Sequence, residues 1–193
     1  SHVALSDHGN MHGAIEFYLE AKKSGIIPII ACELYWQGLS ETHNLVKDYG
    51  LDKKACLGAF HLNVLARNTK GYHNLMKLVS AGYMGEQFKE IPVTKLKNLE
   101  EYASDLVAIS SCLKGEFSFL VAALRESLAS TKEFDFSQDL PEKAALVFEV
   151  LKAHVAKMQE IFPDNYYIEL IDKTNYLNHY YFISLMSFIG SFI

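Results

Sequence analysis

The residues of this chain that could do chemistry fall in three short strings and one further position. The strings are Ser6-Asp7-His8-Gly9, Ala31-Cys32-Glu33-Leu34-Tyr35 and Ser110-Ser111-Cys112-Leu113-Lys114-Gly115-Glu116, and the further position is His61. Imidazole, carboxylate and thiolate are the donors from which zinc selects, and manganese or iron draw on the nitrogen and oxygen members of the same set. The three strings place their donor at the far end of an apolar, β-type segment, and His61 opens a fourth. Strand ends are where α/β folds build active sites, so the repetition points to a metal-dependent site.

Taken singly, each residue has a plainer reading. Asp7 and His8 precede Gly9-Asn10, and such a carboxylate equally suits a turn in which it accepts backbone N–H groups. Glu33 follows seven apolar residues, where it needs a cation or donors unless the strand end lifts it into solvent. His61 between Phe60 and Leu62 fits a satisfied core imidazole, and Cys112 fits a small inert apolar residue. Coincidence at four strand ends is the harder explanation. Cys32 neighbours Glu33, points to the opposite face of its strand and is assigned to the core. His12, His43, His73, His154 and His179 lack a strand-end context, and the lysine pairs at 22–23, 53–54 and 95/97 are solvated faces. No phosphate-binding G-x-x-x-x-G-K loop, no nucleophile elbow and no evident general base occurs.

The elements that must position these residues alternate along the chain. Strands are predicted at residues 2–6, 26–35, 59–66, 106–110 and 166–171. The continuous apolar run before Glu33 has the character of a strand buried on both faces of a parallel sheet, with Pro28 placing the start of pairing just after it. Helices are predicted from Gly9-Asn10 to Gly25, with Ile15 and Leu19 on one face, and over 70–83, 93–102, 115–128 and 141–161. The last carries Leu146, Val150, Val155 and Met158 as its apolar positions, with Pro141 in its first turn. Residues 36–57 form a polar loop long enough to be an insertion or lid. This β-α-β-α rhythm argues for a parallel sheet or barrel.

Composition bounds the function. Half of the 193 residues are apolar, enough for one sizeable core. The formal charge of −5 excludes a wholesale basic grip on nucleic-acid phosphates while leaving room for a local groove. Cys32, Cys56 and Cys112 are odd in number, widely spaced and without a C-x-x-C pair, which fits a reducing, cytoplasmic compartment. The chain enters a strand-like run directly from Ser1, without a signal-peptide pattern, as expected of a piece of a longer chain. Residues 180–193 carry no charge but fall short of the about 20 residues that cross a bilayer. No membrane role is expected, and this ending is read as a buried terminal helix or one covered from elsewhere.

Together, Ser6-Asp7-His8-Gly9-Asn10-Met11, Gly13-Ala14-Ile15-Glu16-Phe17-Tyr18, Ala31-Cys32-Glu33-Leu34-Tyr35, His61-Leu62, Gly71-Tyr72-His73-Asn74-Leu75-Met76-Lys77-Leu78 and Ser111-Cys112-Leu113-Lys114-Gly115-Glu116 closely resemble the PHP domain at the N-terminus of bacterial replicative DNA polymerase III alpha subunits. The resemblance covers residues 1–171, leaving 172–193 as a divergent apolar segment. It implies an α/β fold, a distorted seven-stranded β/α barrel of TIM-like form, incomplete in this chain. It also implies a trinuclear cluster of divalent metal ions (zinc, manganese or iron), with His8, Glu33, His61 and Cys112 as ligands and Asp7 beside them as a supporting residue. The family's H-x-H motif would lie before Ser1, and its later Asp-x-His motif does not show in 172–193, so about half the ligand set is expected outside this chain.

In function the resemblance implies a fragment of a DNA-directed DNA polymerase. Its partners would be DNA, reached through the full-length polymerase, together with the sliding clamp and a proofreading exonuclease. Metal-dependent 3′–5′ exonuclease or phosphoesterase activity is expected in the complete domain, and the fragment alone is expected to be inactive. A non-catalytic module that stabilises the polymerase and docks the proofreading partner is the alternative, and a stand-alone PHP phosphoesterase a third reading.

Overall fold

The structure, a computed structural model, describes residues 1–49, 59–84, 90–128 and 140–169. The element order is β1 (His2–His8), α1 (Ala14–Lys23), β2 (Ile27–Trp36), α2 (Ser40–Tyr49), β3 (Phe60–Ala66), α3 (Thr69–Met84), β4 (Val93–Thr94), α4 (Leu96–Tyr102), β5 (Leu106–Ile109), α5 (Glu116–Leu128), α6 (Glu142–Ile161) and β6 (Tyr166–Tyr167). The strands form one six-stranded sheet in the order β1-β2-β3-β5-β6, with β4 alongside β2.

That sheet is mixed, not parallel. β1 runs parallel to β2, whereas β3 is antiparallel to both β2 and β5. The reversal matters for the site, because His61 stands at the N-terminal end of its strand. Running antiparallel brings it level with the C-terminal end of β2, in register with Tyr35, while Asn63 faces Glu33. The seven strands of a closed barrel are not seen among the described residues; an open mixed sheet with helices is.

Strand alternation divides the sheet into two faces. Cys32, Leu34 and Trp36 on β2, Phe60, Leu62 and Val64 on β3, and Leu106 and Ala108 on β5 are buried and form one core with the helices. Leu75 and Leu78 from α3, Leu120 and Leu124 from α5, and Leu151 and Met158 from α6 complete it, each at most 1% exposed. Burying a side chain of this size contributes about 1.5–3 kcal/mol. The opposite face carries Ser6 and His8, Glu33 and Tyr35, and His61 and Asn63.

Several local expectations are adjusted. Residues 40–49 are helical rather than loop, and 93–94 are a strand rather than a helix start. Residues 50–58, including Cys56, lie outside the described residues, as do 170–193 with the end of the last predicted strand and the divergent segment. Pairing of β2 with β1 already includes Pro28, opposite Val3. Ile27 N donates to Ser1 O, so the proline's missing N–H falls on the other edge, where pairing with β3 begins only at Ala31. Ile15 and Leu19 are each 62% exposed, and α1 buries the small Ala14 and Ala21 instead. On α6, Val155 and Met158 are buried as expected and Val150 packs against the core, but Leu146 is exposed while Val147 and Leu151 fill the face.

Candidate metal centre

The site is organised around one carboxylate. Glu33 lies near the C-terminal end of β2, on the face away from the helices, with its side chain 23% exposed. Its Oε2 accepts from His8 Nδ1 at 3.0 Å, and its Oε1 from His61 Nδ1 at 2.8 Å and from Ser111 Oγ at 2.8 Å. Cys112 Sγ stands 3.7 Å from Glu33 Oε1 and 3.7 Å from His61 Nδ1. Ligand atoms of His8, Glu33 and His61 all lie within 4.8 Å of one another. Four residues drawn from β1, β2, β3 and the turn after β5 thus meet at one end of the sheet.

Local chemistry brings each one there. Gly9 has a φ of +70°, and a Cβ at this position would come within 2.7 Å of the Tyr35 ring, so glycine lets the chain leave β1 directly behind His8. The Tyr35 ring meets His8 edge-on at a centroid distance of 4.8 Å and His61 at 5.6 Å, and the two imidazoles contact each other at 4.6 Å. His61 N donates to Lys114 O at 3.0 Å, tying β3 to the turn that carries Cys112. Lys114 N points at Cys112 Sγ, 3.5 Å away. Asp7 behaves differently from its neighbour: its Oδ2 accepts from Gly13 N at 2.9 Å, at the start of α1. It braces the loop that follows His8 without joining the cluster.

The electrostatics suit a cation. Burial pushes the Glu33 carboxyl up, but donation from Ser111 and His8 and the neighbouring His61 outweigh it, holding the group below the usual carboxylate range. Glu33 is therefore charged at neutral pH. Burial pushes His61 down, only partly opposed by Glu33, so its imidazole is neutral and available as a donor. A carboxylate only accepts hydrogen bonds, so the neutral His61 ring carries its proton on Nδ1 and leaves Nε2 with a lone pair. Two imidazoles and a carboxylate within 4.8 Å of one another, with a thiol 3.7 Å from the carboxylate and from one of the rings, fit a borderline divalent cation. By contrast burial raises the Cys32 thiol to about 12, consistent with its place in the core.

Sequence reasoning missed two contributors, Tyr35 and Ser111, although both lie inside the strings it singled out. Tyr35 sits two residues after Glu33, and that spacing alone placed it on the same strand face. It also set aside the surroundings of His154 and left Glu116 unassigned. Glu116 is 2% exposed and its carboxylate accepts from Trp36 Nε1 at 2.6 Å, Leu39 N at 2.8 Å and Thr42 Oγ1 at 2.6 Å. His154 Nδ1 lies 3.2 Å from Glu116 Oε2 with poor hydrogen-bond geometry, an electrostatic contact. His154 Nε2 is 3.2 Å from the Tyr166 hydroxyl. Burial pushes Glu116 up and these partners, His154 first, more than offset it, so the carboxyl is held below its ordinary range. His12 and His73 are exposed and His43 Nε2 meets Gln37 O at 2.6 Å; none joins the cluster.

Comparison with known proteins identifies relatives of this chain. The profile of the PHP domain matches residues 1–173. DNA polymerase III subunit alpha of Borreliella burgdorferi is 36% identical over 172 residues, covering 88% of this chain and 12% of that protein. The subunit of the same name from Helicobacter pylori is 36% identical over 169 residues, again 88% of this chain and 12% of the relative. That of Thermus aquaticus is 38% identical over 130 residues, 67% of this chain and 10% of the relative. The chain thus spans about an eighth of the length of the curated relatives it matches.

Proposed function

This chain belongs to the PHP domain family, and on that premise we propose that it is the metal-binding PHP module of a replicative DNA polymerase III alpha subunit. The observation that carries the proposal is the convergence of His8, His61 and Cys112 on the Glu33 carboxylate. These four residues hold a divalent cation, zinc, manganese or iron. Asp7 supports His8 from behind, through its bond to Gly13 N. Further ligands come from elsewhere in the longer protein, with the module's boundary near residue 171. The sheet is an arc of a distorted seven-stranded β/α barrel whose interior is the face bearing Glu33, a reading supported by the core and helices lying against the other face.

A bound cation at such a centre supplies Lewis acidity that activates a water and stabilises charge on a phosphodiester. The chain's own residues do the rest. Glu33 stays ionised, His61 stays neutral, and Tyr35 packs both imidazoles edge-on so that their nitrogens keep their aim. The activity this arrangement supports best is hydrolysis of a phosphodiester, as a 3′–5′ exonuclease or related phosphoesterase. DNA polymerisation, contact with the sliding clamp and a proofreading exonuclease, and residence in the cytoplasm follow for the longer protein. No helix among the described residues is long and apolar enough to cross a membrane.

The test is elemental analysis of the full-length protein carrying this chain, coupled to a nuclease assay with and without chelator. Bound metal and chelator-sensitive cleavage of a DNA 3′ end are expected. Absence of both overturns the hydrolytic reading and leaves a scaffold that stabilises the polymerase and docks its proofreading partner.

A further inference from the structure

The turn that carries Cys112 holds a residue in a conformation its side chain disfavours. Ser111 has a φ of 66°, the left-handed region that glycine enters freely and a residue with a Cβ enters only with strain. Its surroundings keep it there. Ser110 N donates to Tyr167 O at 2.9 Å, Glu169 N to Ser110 Oγ at 2.9 Å and Gly115 N to Cys112 O at 2.9 Å. The turn is so tight that a Cβ on Gly115 would come within 2.1 Å of Ser110 O. Glycine at position 111 would make the same turn without strain, so what the serine adds is its hydroxyl.

That hydroxyl is 78 positions from its partner in sequence and 2.8 Å from it in space: Oγ donates to Glu33 Oε1, with Ser111 only 3% exposed. The other close donors to Glu33, His8 and His61, are themselves candidate ligands. A ligating imidazole is oriented by the cation as well as by Glu33, whereas a neutral hydroxyl competes poorly for a borderline metal and serves the carboxylate alone. Partners of this kind, one bond behind a ligand, orient it and tune its affinity.

We propose that Ser111 is a positioning residue of the metal centre: its hydroxyl fixes the orientation of the Glu33 carboxylate for a divalent cation, while its own backbone carries the strain. The inference rests on the metal-binding reading above and deepens it.

Two variants separate hydroxyl from backbone. Ser111→Ala removes the hydroxyl and keeps the strain, and Ser111→Gly removes both. Each is made in the full-length protein carrying this chain, titrated with zinc alone by competition against a chromophoric chelator, and melted in chelator. Zinc affinity is expected to fall by a similar factor in both, roughly 10- to 100-fold, while the metal-free glycine variant melts about 2–8 °C above the alanine variant. Affinity that follows stability, with the glycine variant binding like the parent and the alanine variant weakened, overturns the proposal. Parental affinity in both variants also overturns it and leaves the metal centre standing. A parent chain that binds no zinc removes the metal centre and this inference together.

Discussion

Glu33 and Glu116 are two carboxylates with a histidine beside each, and the sheet lies between their roles. Glu33, on the open face, is satisfied by groups that are mostly metal donors themselves: two imidazoles, a thiol and one hydroxyl. Glu116, on the helix-covered face, is satisfied by an indole N–H, a backbone N–H and a threonine hydroxyl, with His154 Nδ1 3.2 Å away. The first arrangement keeps lone pairs available to a cation, whereas the second consumes them. Glu116 ties the start of α5 to the segment leaving β2 and, through His154 and Tyr166, to α6 and β6. It clamps from behind the strand end and the turn that the metal centre uses in front. A carboxylate–histidine pair is therefore a site or a structural hub according to the other partners and the face it occupies.

The contrast is sharpest under substitution. Glu116→Ala leaves a buried indole N–H, the Leu39 N–H and the Thr42 hydroxyl without their acceptor, and is expected to cost about 3–5 kcal/mol, read as the loss in unfolding free energy by denaturant titration. Glu33→Gln is expected to do the reverse, leaving stability in chelator within about 1 kcal/mol of the parent and weakening zinc binding more than about 100-fold, beyond the loss typical of supporting partners. Equal destabilisation by the two substitutions would break the comparison.

Acid unfolding provides a milder probe. The Glu116 carboxyl is held below its ordinary range, so its contribution to stability is complete above the unfolded carboxylate value of about 4.3 and is lost as pH falls through the lower folded value. Glu116→Gln should flatten that acid limb, measured as unfolding free energy against pH below about 5, and leave the profile near neutrality parallel to the parent's. The smallest effect belongs to Asp7. Asp7→Ala removes the acceptor for Gly13 N at the start of α1 and is expected to cost about 1 kcal/mol with a zinc affinity within about tenfold of the parent. A larger loss of affinity would move Asp7 closer to the metal than its hydrogen bond places it.

Much of this was legible in the chain. Cys32 was assigned to the core face opposite Glu33 and is buried there, whereas the run read as a strand buried on both faces instead alternates toward its end, with Leu34 buried and Glu33 and Tyr35 only half-buried on the other side. His8, Glu33, His61 and Cys112 were identifiable by donor type and strand-end position, and the structure brings them together. The direction of β3 was not legible. An apolar run is the same pattern whichever way it pairs, so His61 at the start of its strand gave no sign that an antiparallel reversal would set it beside Tyr35. Ser111 and Glu116 were hidden for a related reason: their partners, Glu33 and Trp36, lie 78 and 80 positions away, beyond any local periodicity.

By itself the sequence determined the donor set and most of the strand and helix order, α2 and β4 excepted, because residue chemistry and short-range periodicity are local properties of the chain. Only the tertiary structure decided which carboxylate became the centre and which the hub. That choice depends on strand direction and on which face the helices cover, and both are settled by burying apolar area between segments far apart in sequence.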